Sequence, residues 1–198
     1  MKTGKQPVVR TLRLVAFLLC VGTALSAHAS SVLPLDLGQL VDRSEQVVHV
    51  RCLGNQVVAD ANVGVATVTT FAVFERAKGA SGPTLTVRQA GGEMNGIAVK
   101  FPVPAFVAGE EYVLFMPRFS RLGLASPVGL SQGVFHVAVH AGTKEVGNGR
   151  DFADLLVGVD PASLPTHAAA RLKSAPADRT RLELADFMTV VRARTGMR

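Results

Sequence analysis

A serine bracketed by glycines is the strongest catalytic signature in this sequence. Residues 129–133, Gly-Leu-Ser-Gln-Gly, match G-x-S-x-G, the pattern that exposes a nucleophilic serine on a sharp strand-to-helix turn. Asp151 or Asp154, followed by His167, would complete a triad with Ser131 in the chain order that such hydrolases use. The segment after the motif alternates like a strand, and no alternation of helices and strands supplies a hydrolase sheet. We therefore expect Ser131 to lie in a turn, with a serine hydrolase as the alternative.

Three histidines are weak candidates for metal ligands. His136 and His140 are four residues apart, a spacing at which a helix can hold one zinc ion. On a strand, which rises about 3.3 Å per residue, the same two side chains lie about 13 Å apart. The segment has the pattern of a strand, so we expect exposed imidazoles, with His49 turned outward in the same way. The sequence predicts no metal and no cofactor.

Other reactive residue types are poorly arranged for chemistry. Cys52 falls on an apolar strand face, which predicts a buried and inert thiol rather than a reactive one. The glycines of residues 91–96 lack the lysine and the following helix of a phosphate-binding loop. Glu110 and Glu111 are adjacent in a predicted turn and strand, so they face opposite ways and make a poor acid–base pair.

Short strands would position these residues. Asp36 is the predicted N-cap of a first helix whose apolar face carries Leu37, Leu40 and Val41. Turn residues and β-branched runs then predict a series of strands. The predicted strands cover residues 46–53, 65–76, 84–89, 97–103, 112–116 and 134–140.

The pattern changes after about residue 150. Residues 178–194 have the spacing of an amphipathic helix, and Thr180 with Glu183 forms a predicted capping box. The fold class that follows is mainly β: a small OB-like barrel, closed or partly open, with a short N-terminal helix and a C-terminal amphipathic helix. We predict a β-barrel domain over residues 30–150 and a helical extension over 151–198 that packs on the barrel.

The first 29 residues have the features of an export signal. Basic residues at 2, 5, 10 and 13 precede an apolar run, and Ala27-His28-Ala29 forms an A-x-A cleavage pattern. The run is short for a bilayer span, which needs about 20 apolar residues. We therefore predict a cleaved signal peptide over residues 1–29, with an uncleaved N-terminal anchor as the alternative. The mature chain should be periplasmic or extracellular, with no transmembrane segment.

Removal of that segment changes the charge. The full chain carries a net +6, whereas residues 30–198 carry 17 basic and 15 acidic groups, a net +2. Residues 161–198, which include the predicted C-terminal helix, hold 7 basic and 3 acidic groups, so this basic helix could make weak contact with an anionic surface. No dense basic stripe indicates nucleic acid as a partner. Cys52 would be the one remaining cysteine, so no disulfide within the chain is expected.

Four segments carry a resemblance to known proteins. They are residues 69–79, 85–92, 106–115 and 128–135, which include a Lys-Gly turn and a Gly-Glu-Glu-Tyr strand. Across residues 40–140 the chain resembles an uncharacterised family of exported bacterial proteins. More distantly, the order of these segments is similar to the netrin-like domains of tissue inhibitors of metalloproteinases, which implies an OB-fold barrel. Those inhibitors chelate a protease zinc through a disulfide-linked N-terminal cysteine, whereas the predicted mature N-terminus here is Ser30.

The sequence thus predicts an exported, non-enzymatic binding domain. Its partner would be a protein or an envelope component, and the distant resemblance adds protease inhibition or escort as a possible role. The alternative remains a serine hydrolase using residues 129–133.

Overall fold

Antiparallel strands dominate the computed structural model, which describes residues 33–80 and 82–196. The strands are β1 (Gln46–Asp60), β2 (Gly64–Lys78), β3 (Thr84–Ala90), β4 (Gly92–Met94), β5 (Ile97–Val99), β6 (Glu111–Met116), β7 (Val134–His140), β8 (Thr143–Gly147) and β9 (Leu182–Glu183). Seven of them form one sheet in the order β3-β2-β1-β6-β7-β8-β9, and β4 pairs with β5 in a separate hairpin. The predicted mainly-β class is confirmed. The closed form of the predicted barrel is wrong, because β3 and β9 are two open edges of the sheet.

Four short helices accompany the sheet in the described part of the chain. They are α1 (Leu37–Arg43), α2 (Phe152–Leu155), α3 (Thr166–Arg171) and α4 (Leu184–Thr195). The predicted N-cap of α1 is confirmed, since the carboxylate of Asp36 accepts from the Gln39 amide at 2.7 Å and the Gln39 side chain accepts from the Asp36 amide at 3.2 Å. None of the described helices combines the length and apolar character that a membrane crossing requires.

The start of the C-terminal helix was predicted six residues too early. Residues Pro176–Thr180 form a 3-10 turn, and Leu182–Glu183 pair with β8 before α4 begins at Leu184. The predicted capping box is therefore wrong, because strand pairing with Val146 fixes this segment in an extended conformation. Glu183 is the N-cap, and its side chain makes no capping hydrogen bond.

Two apolar layers lie on opposite faces of the sheet, because successive side chains of a strand alternate between faces. The first layer packs the helices against β6 and β7 and includes the rings of Phe115, Phe135, Phe152 and Phe187. The second layer includes Val48, Val50, Cys52, Phe71 and Tyr112. The sheet is thus covered by helices on one face, and loop residues such as Phe106 and Ala125 pack on the other.

Several strand boundaries differ from those predicted. Strand β1 runs through Gly54 to Asp60, because register shifts let the chain stay paired with β2 where a loop was expected. The predicted strand over 97–103 ends at Val99, and the loop before it forms a hairpin turn at Asn95 and Gly96, whose φ angles are +53° and +74°. The β8 strand was not predicted at all. The residues predicted as a signal peptide, 1–29, lie outside the described part of the chain.

Candidate functional site

A pocket beneath the β4–β5 hairpin is the best candidate for a ligand site; we call it the hairpin pocket. Its volume is about 440 Å³, within the range of small-molecule sites. Strands β1, β2 and β3 supply one side of it, and the hairpin with the extended residues 100–106 supplies the other. The lining residues are Asn55, Thr67, Thr69, Gln89, Ala90, Gly91, Gly92, Glu93, Ala98, Val99, Lys100, Phe101, Val103, Pro104, Ala105 and Phe106.

Uncharged polar groups line the strand side of the hairpin pocket. The Thr69 hydroxyl donates to the Asn55 side-chain oxygen at 2.7 Å, and the Asn55 amide donates to the carbonyl of Phe106 at 2.8 Å. The Thr67 hydroxyl donates to the carbonyl of Gly91 at 2.8 Å. Thr69 and Gln89 are buried polar residues. These bonds tie the two sides of the pocket together and leave amide and hydroxyl groups at its surface.

The facing side is mostly apolar, and Gly92 in it packs closely against β1 and β2. The Phe106 ring packs edge-on against Phe71 at 5.0 Å and against Tyr112 at 5.3 Å. Gly92 has φ +144°, and a Cβ there would meet the Val57 side chain at 2.8 Å, so only glycine lets the chain turn here. Glu93 and Lys100 line the pocket as exposed residues. A largely apolar, uncharged ligand that makes a few hydrogen bonds would fit this arrangement.

A second cluster surrounds the Glu111 carboxylate on the face of the sheet that also carries the helices. The Glu111 side chain is only 10% exposed, and its Oε2 atom lies 2.9 Å from His49 Nε2 and 2.7 Å from Lys144 Nζ. Its Oε1 atom lies 2.7 Å from Arg51 Nη2. Arg51 stands directly opposite Glu111 in the β1–β6 pairing, and Lys144 reaches it from β8.

The electrostatics of this cluster follow from its contacts. Burial alone would raise the pKa of Glu111, but hydrogen bonds from Lys144, Arg51 and His49 outweigh burial and lower that pKa to about 2. Burial lowers the pKa of His49 below its usual 6.5, against the opposing pull of Glu111. Glu111 is therefore charged and His49 neutral at pH 7, and the carboxylate holds two cations in place.

The predicted triad residues have separate surroundings and separate partners in the structure. Ser131 is exposed in a 3-10 turn (Leu130–Gly133) that leads into β7, a strand rather than a helix. His167 is exposed on α3, and Asp154 is exposed on α2. Asp151 caps α2 by accepting from the Ala153 amide at 2.8 Å, and it binds Arg179. Among the described residues no hydrogen bond joins Ser131, Asp154 and His167 to one another.

The predicted histidine positions divide into two groups. His136 and His140 lie on β7 and are exposed, as the strand pattern indicated. His136 lies 3.8 Å from Glu110 and packs its ring against Tyr112. His49 is buried against Glu111 and Phe74, so its predicted exposure is wrong. Within residues 33–80 and 82–196, no three His, Cys, Asp or Glu side chains are grouped to hold a metal ion.

Cys52 and the Glu110–Glu111 pair lie as the sequence predicts. Cys52 is a buried free thiol, and burial raises its pKa. Glu110 accepts from the Tyr112 hydroxyl at 2.8 Å, whereas Glu111 turns to the opposite face, so the two carboxylates diverge as expected. The importance of Glu111, Lys144 and the hairpin pocket was not predicted. The sequence does show a basic residue, Arg51, on one predicted strand and an acidic one, Glu111, next to another. It does not show that these strands pair with the two residues opposite each other.

Comparison with protein-family models, with curated proteins and with solved structures finds no match to this chain.

Proposed function

We propose that this protein is an exported, non-enzymatic binding domain that acts in the periplasm or outside the cell. The observation that carries the proposal is the hairpin pocket, an apolar cavity of about 440 Å³ with a small set of uncharged polar groups on one side. Pockets of this kind bind ligands without needing reactive groups. The ligand is a protein segment or a component of the cell envelope that presents an uncharged, largely apolar part to the pocket.

The pocket's construction supports recognition rather than catalysis. Thr69 donates a hydrogen bond to Asn55, and Thr67 and Asn55 donate to backbone carbonyls. These bonds fix the orientation of the three side chains before a ligand binds. Among the residues that the structure describes, no histidine or cysteine lines it, and its two ionisable residues, Glu93 and Lys100, are exposed. A general base or nucleophile would need a positioned and activated group, so this site favours binding.

We also propose that strands β1–β3 and β6 form an OB-like, partly open barrel. The register shifts between β1 and β2 support this interpretation, because such bulges bend a pair of strands. Protease inhibition or escort is the role that the distant netrin-like resemblance suggests. It is tested separately, by adding an excess of the protein to zinc proteases and measuring their rates.

A pocket-filling substitution tests the binding proposal directly. Nile red, an uncharged apolar dye, is the probe, and the measurement is its fluorescence on titration with protein. Ala98→Trp adds a large ring to a lining residue of the pocket, and Ala59→Trp makes the same change at an exposed β1 position outside it. We expect the wild type and Ala59→Trp to bind the dye alike and Ala98→Trp to bind at least about tenfold more weakly. Absence of dye binding by the wild type, or equal binding by all three, would refute the pocket.

A further inference from the structure

The Glu111 cluster has an outer surface made of one aromatic ring, one aliphatic side chain and two cations. Arg51 and Lys144 each donate one hydrogen bond to Glu111, and their side chains are 49% and 44% exposed. Among the described residues neither cation has a further acceptor. Their remaining N–H groups are therefore available to a ligand, while Glu111 beneath them limits their movement.

The aromatic ring belongs to Phe74, which is half exposed. It is the extra residue of a β-bulge, because His49 pairs with Glu75 and the next residue, Val50, pairs with Val73. The bulge turns the ring to the same face as the cations. The Arg51 guanidinium lies 5.2 Å and the Lys144 ammonium 5.6 Å from the ring centre, both within cation–π range.

An aliphatic side chain extends this surface. Val139 pairs directly with Lys144 across β7 and β8, so the two side chains share a face. It is 67% exposed. Arg51, Phe74, Val139 and Lys144 together are called the Phe74 surface below.

The charge of the Phe74 surface indicates its partner. Two cations share one carboxylate, and the adjacent Glu75 is already paired with Arg192, so the surface keeps an excess positive charge. An anionic membrane is a poorer fit, since membrane recognition uses clusters of about 4–8 basic residues. A planar guanidinium with free N–H groups suits a carboxylate, and the ring beside it suits an apolar neighbour.

We propose that the Phe74 surface docks a protein segment that carries a carboxylate next to an apolar side chain. The carboxylate bridges the free N–H groups of Arg51 and Lys144, and the apolar side chain covers Phe74 and Val139. Because Glu111 already orders both cations, docking loses little side-chain entropy. This surface is separate from the hairpin pocket and does not depend on it.

A titration followed by NMR tests the proposal. The ¹⁵N-labelled protein is titrated with a short peptide of alternating Glu and Leu, with its Gln and Leu counterpart, and with phosphatidylglycerol vesicles. We expect the acidic peptide to shift the amide signals of Arg51, Phe74, Val139 and Lys144. The uncharged peptide should bind at least about tenfold more weakly. Unchanged signals at the Phe74 surface, or a response to vesicles alone, would overturn the proposal.

Two matched pairs of variants locate the binding. Val139→Glu places a like charge beside the incoming carboxylate without touching Glu111, and Val157→Glu makes the same change at a valine 64% exposed elsewhere. Lys144→Gln removes a cation of the surface, and Arg121→Gln removes an exposed cation outside it. We expect about tenfold weaker binding of the acidic peptide for Val139→Glu and Lys144→Gln, and wild-type binding for the controls. If folded Val139→Glu binds as well as Val157→Glu, the proposal is wrong.

Discussion

The imidazole of His49 and the carboxylate of Glu111 lie 2.9 Å apart, although 62 residues separate them in the chain. They meet because β1 and β6 are antiparallel neighbours, with Arg51 opposite Glu111 and His49 two residues earlier on the same face. The pair joins a neutral ring to a carboxylate that also holds Arg51 and Lys144. One side chain therefore links three strands of the sheet.

Replacing Glu111 should weaken the fold. Glu111→Gln removes the negative charge from between Arg51 and Lys144 and leaves their attraction to it unreplaced. We expect the free energy of unfolding, measured by urea denaturation, to fall by about 1–3 kcal/mol. Glu45→Gln is the control, because its pairing with Arg118 is exposed and should change stability by less than about 0.5 kcal/mol. Equal effects of the two substitutions would show that Glu111 is not a structural anchor.

His49 should make stability sensitive to mild acid. Burial lowers the pKa of His49 in the folded state, so below pH 6.5 the unfolded chain binds more protons than the folded protein. The free energy of unfolding therefore decreases as the pH is lowered. The lowered pKa of Glu111 adds a second loss, which starts near pH 4.5 and continues towards about 2. Thermal melts should show a melting temperature that declines between pH 6.5 and 4.5, with a shallower decline for His49→Gln.

The exposed His140 supplies the control for that experiment. His140→Gln makes the same substitution on β7, away from Glu111. A His49→Gln profile that superimposes on the wild-type profile would contradict the assigned role of the buried imidazole.

Local patterns were enough to predict most of the sheet. The bounds of β7, residues 134–140, were predicted from Phe135, Val137 and Val139, which recur at every second position, and the Asp36 cap from its position before Leu37. The β8 strand was missed because Thr143–Gly147 is short and mostly polar or charged, and it is defined by pairing with β7 and β9 instead of by its own composition.

The two candidate sites could not be predicted in the same way. Alternation places Arg51 and His49 on one face of a strand, but only the register of β1 against β6 brings Glu111 beside them. Lys144 joins through a further pair of strands. The hairpin pocket needs residues 90–106 to fold back over β1, β2 and β3, a tertiary relationship that no local pattern encodes.

Because the thiol of Cys52 is buried, we expect it to react slowly with thiol reagents. Its side chain is enclosed with Val50 and Phe71, and burial raises its pKa, so little thiolate is present at neutral pH. We expect Ellman's reagent to react with Cys52 of the native protein only after denaturant is added, and non-reducing gels to show no disulfide-linked dimer from Cys52. Rapid reaction of the native protein would indicate that this side of the core opens readily.

The serine of the glycine-bracketed motif should be unreactive. Ser131 lies in a 3-10 turn ahead of a strand, and among the described residues it has no hydrogen bond to an imidazole. A fluorophosphonate probe should therefore leave the folded protein unlabelled, because the hydroxyl lacks a general base. Labelling that is lost in Ser131→Ala would instead favour the hydrolase alternative over the binding domain.

The second glycine of the same motif has a packing role that can be tested on its own. A Cβ at Gly133 would overlap the backbone carbonyl oxygen of Val128 and lie 3.3 Å from the Phe115 side chain, so the turn and β6 can approach only if this residue is glycine. We expect Gly133→Ala to lower the free energy of unfolding by about 2 kcal/mol or more in urea denaturation. Gly54→Ala is the matched control, since nothing lies within 4 Å of its added Cβ, and it should change stability by about 1 kcal/mol or less. A stable Gly133→Ala variant would mean that the turn can shift away from β6, and the motif's glycine would then need an explanation other than packing.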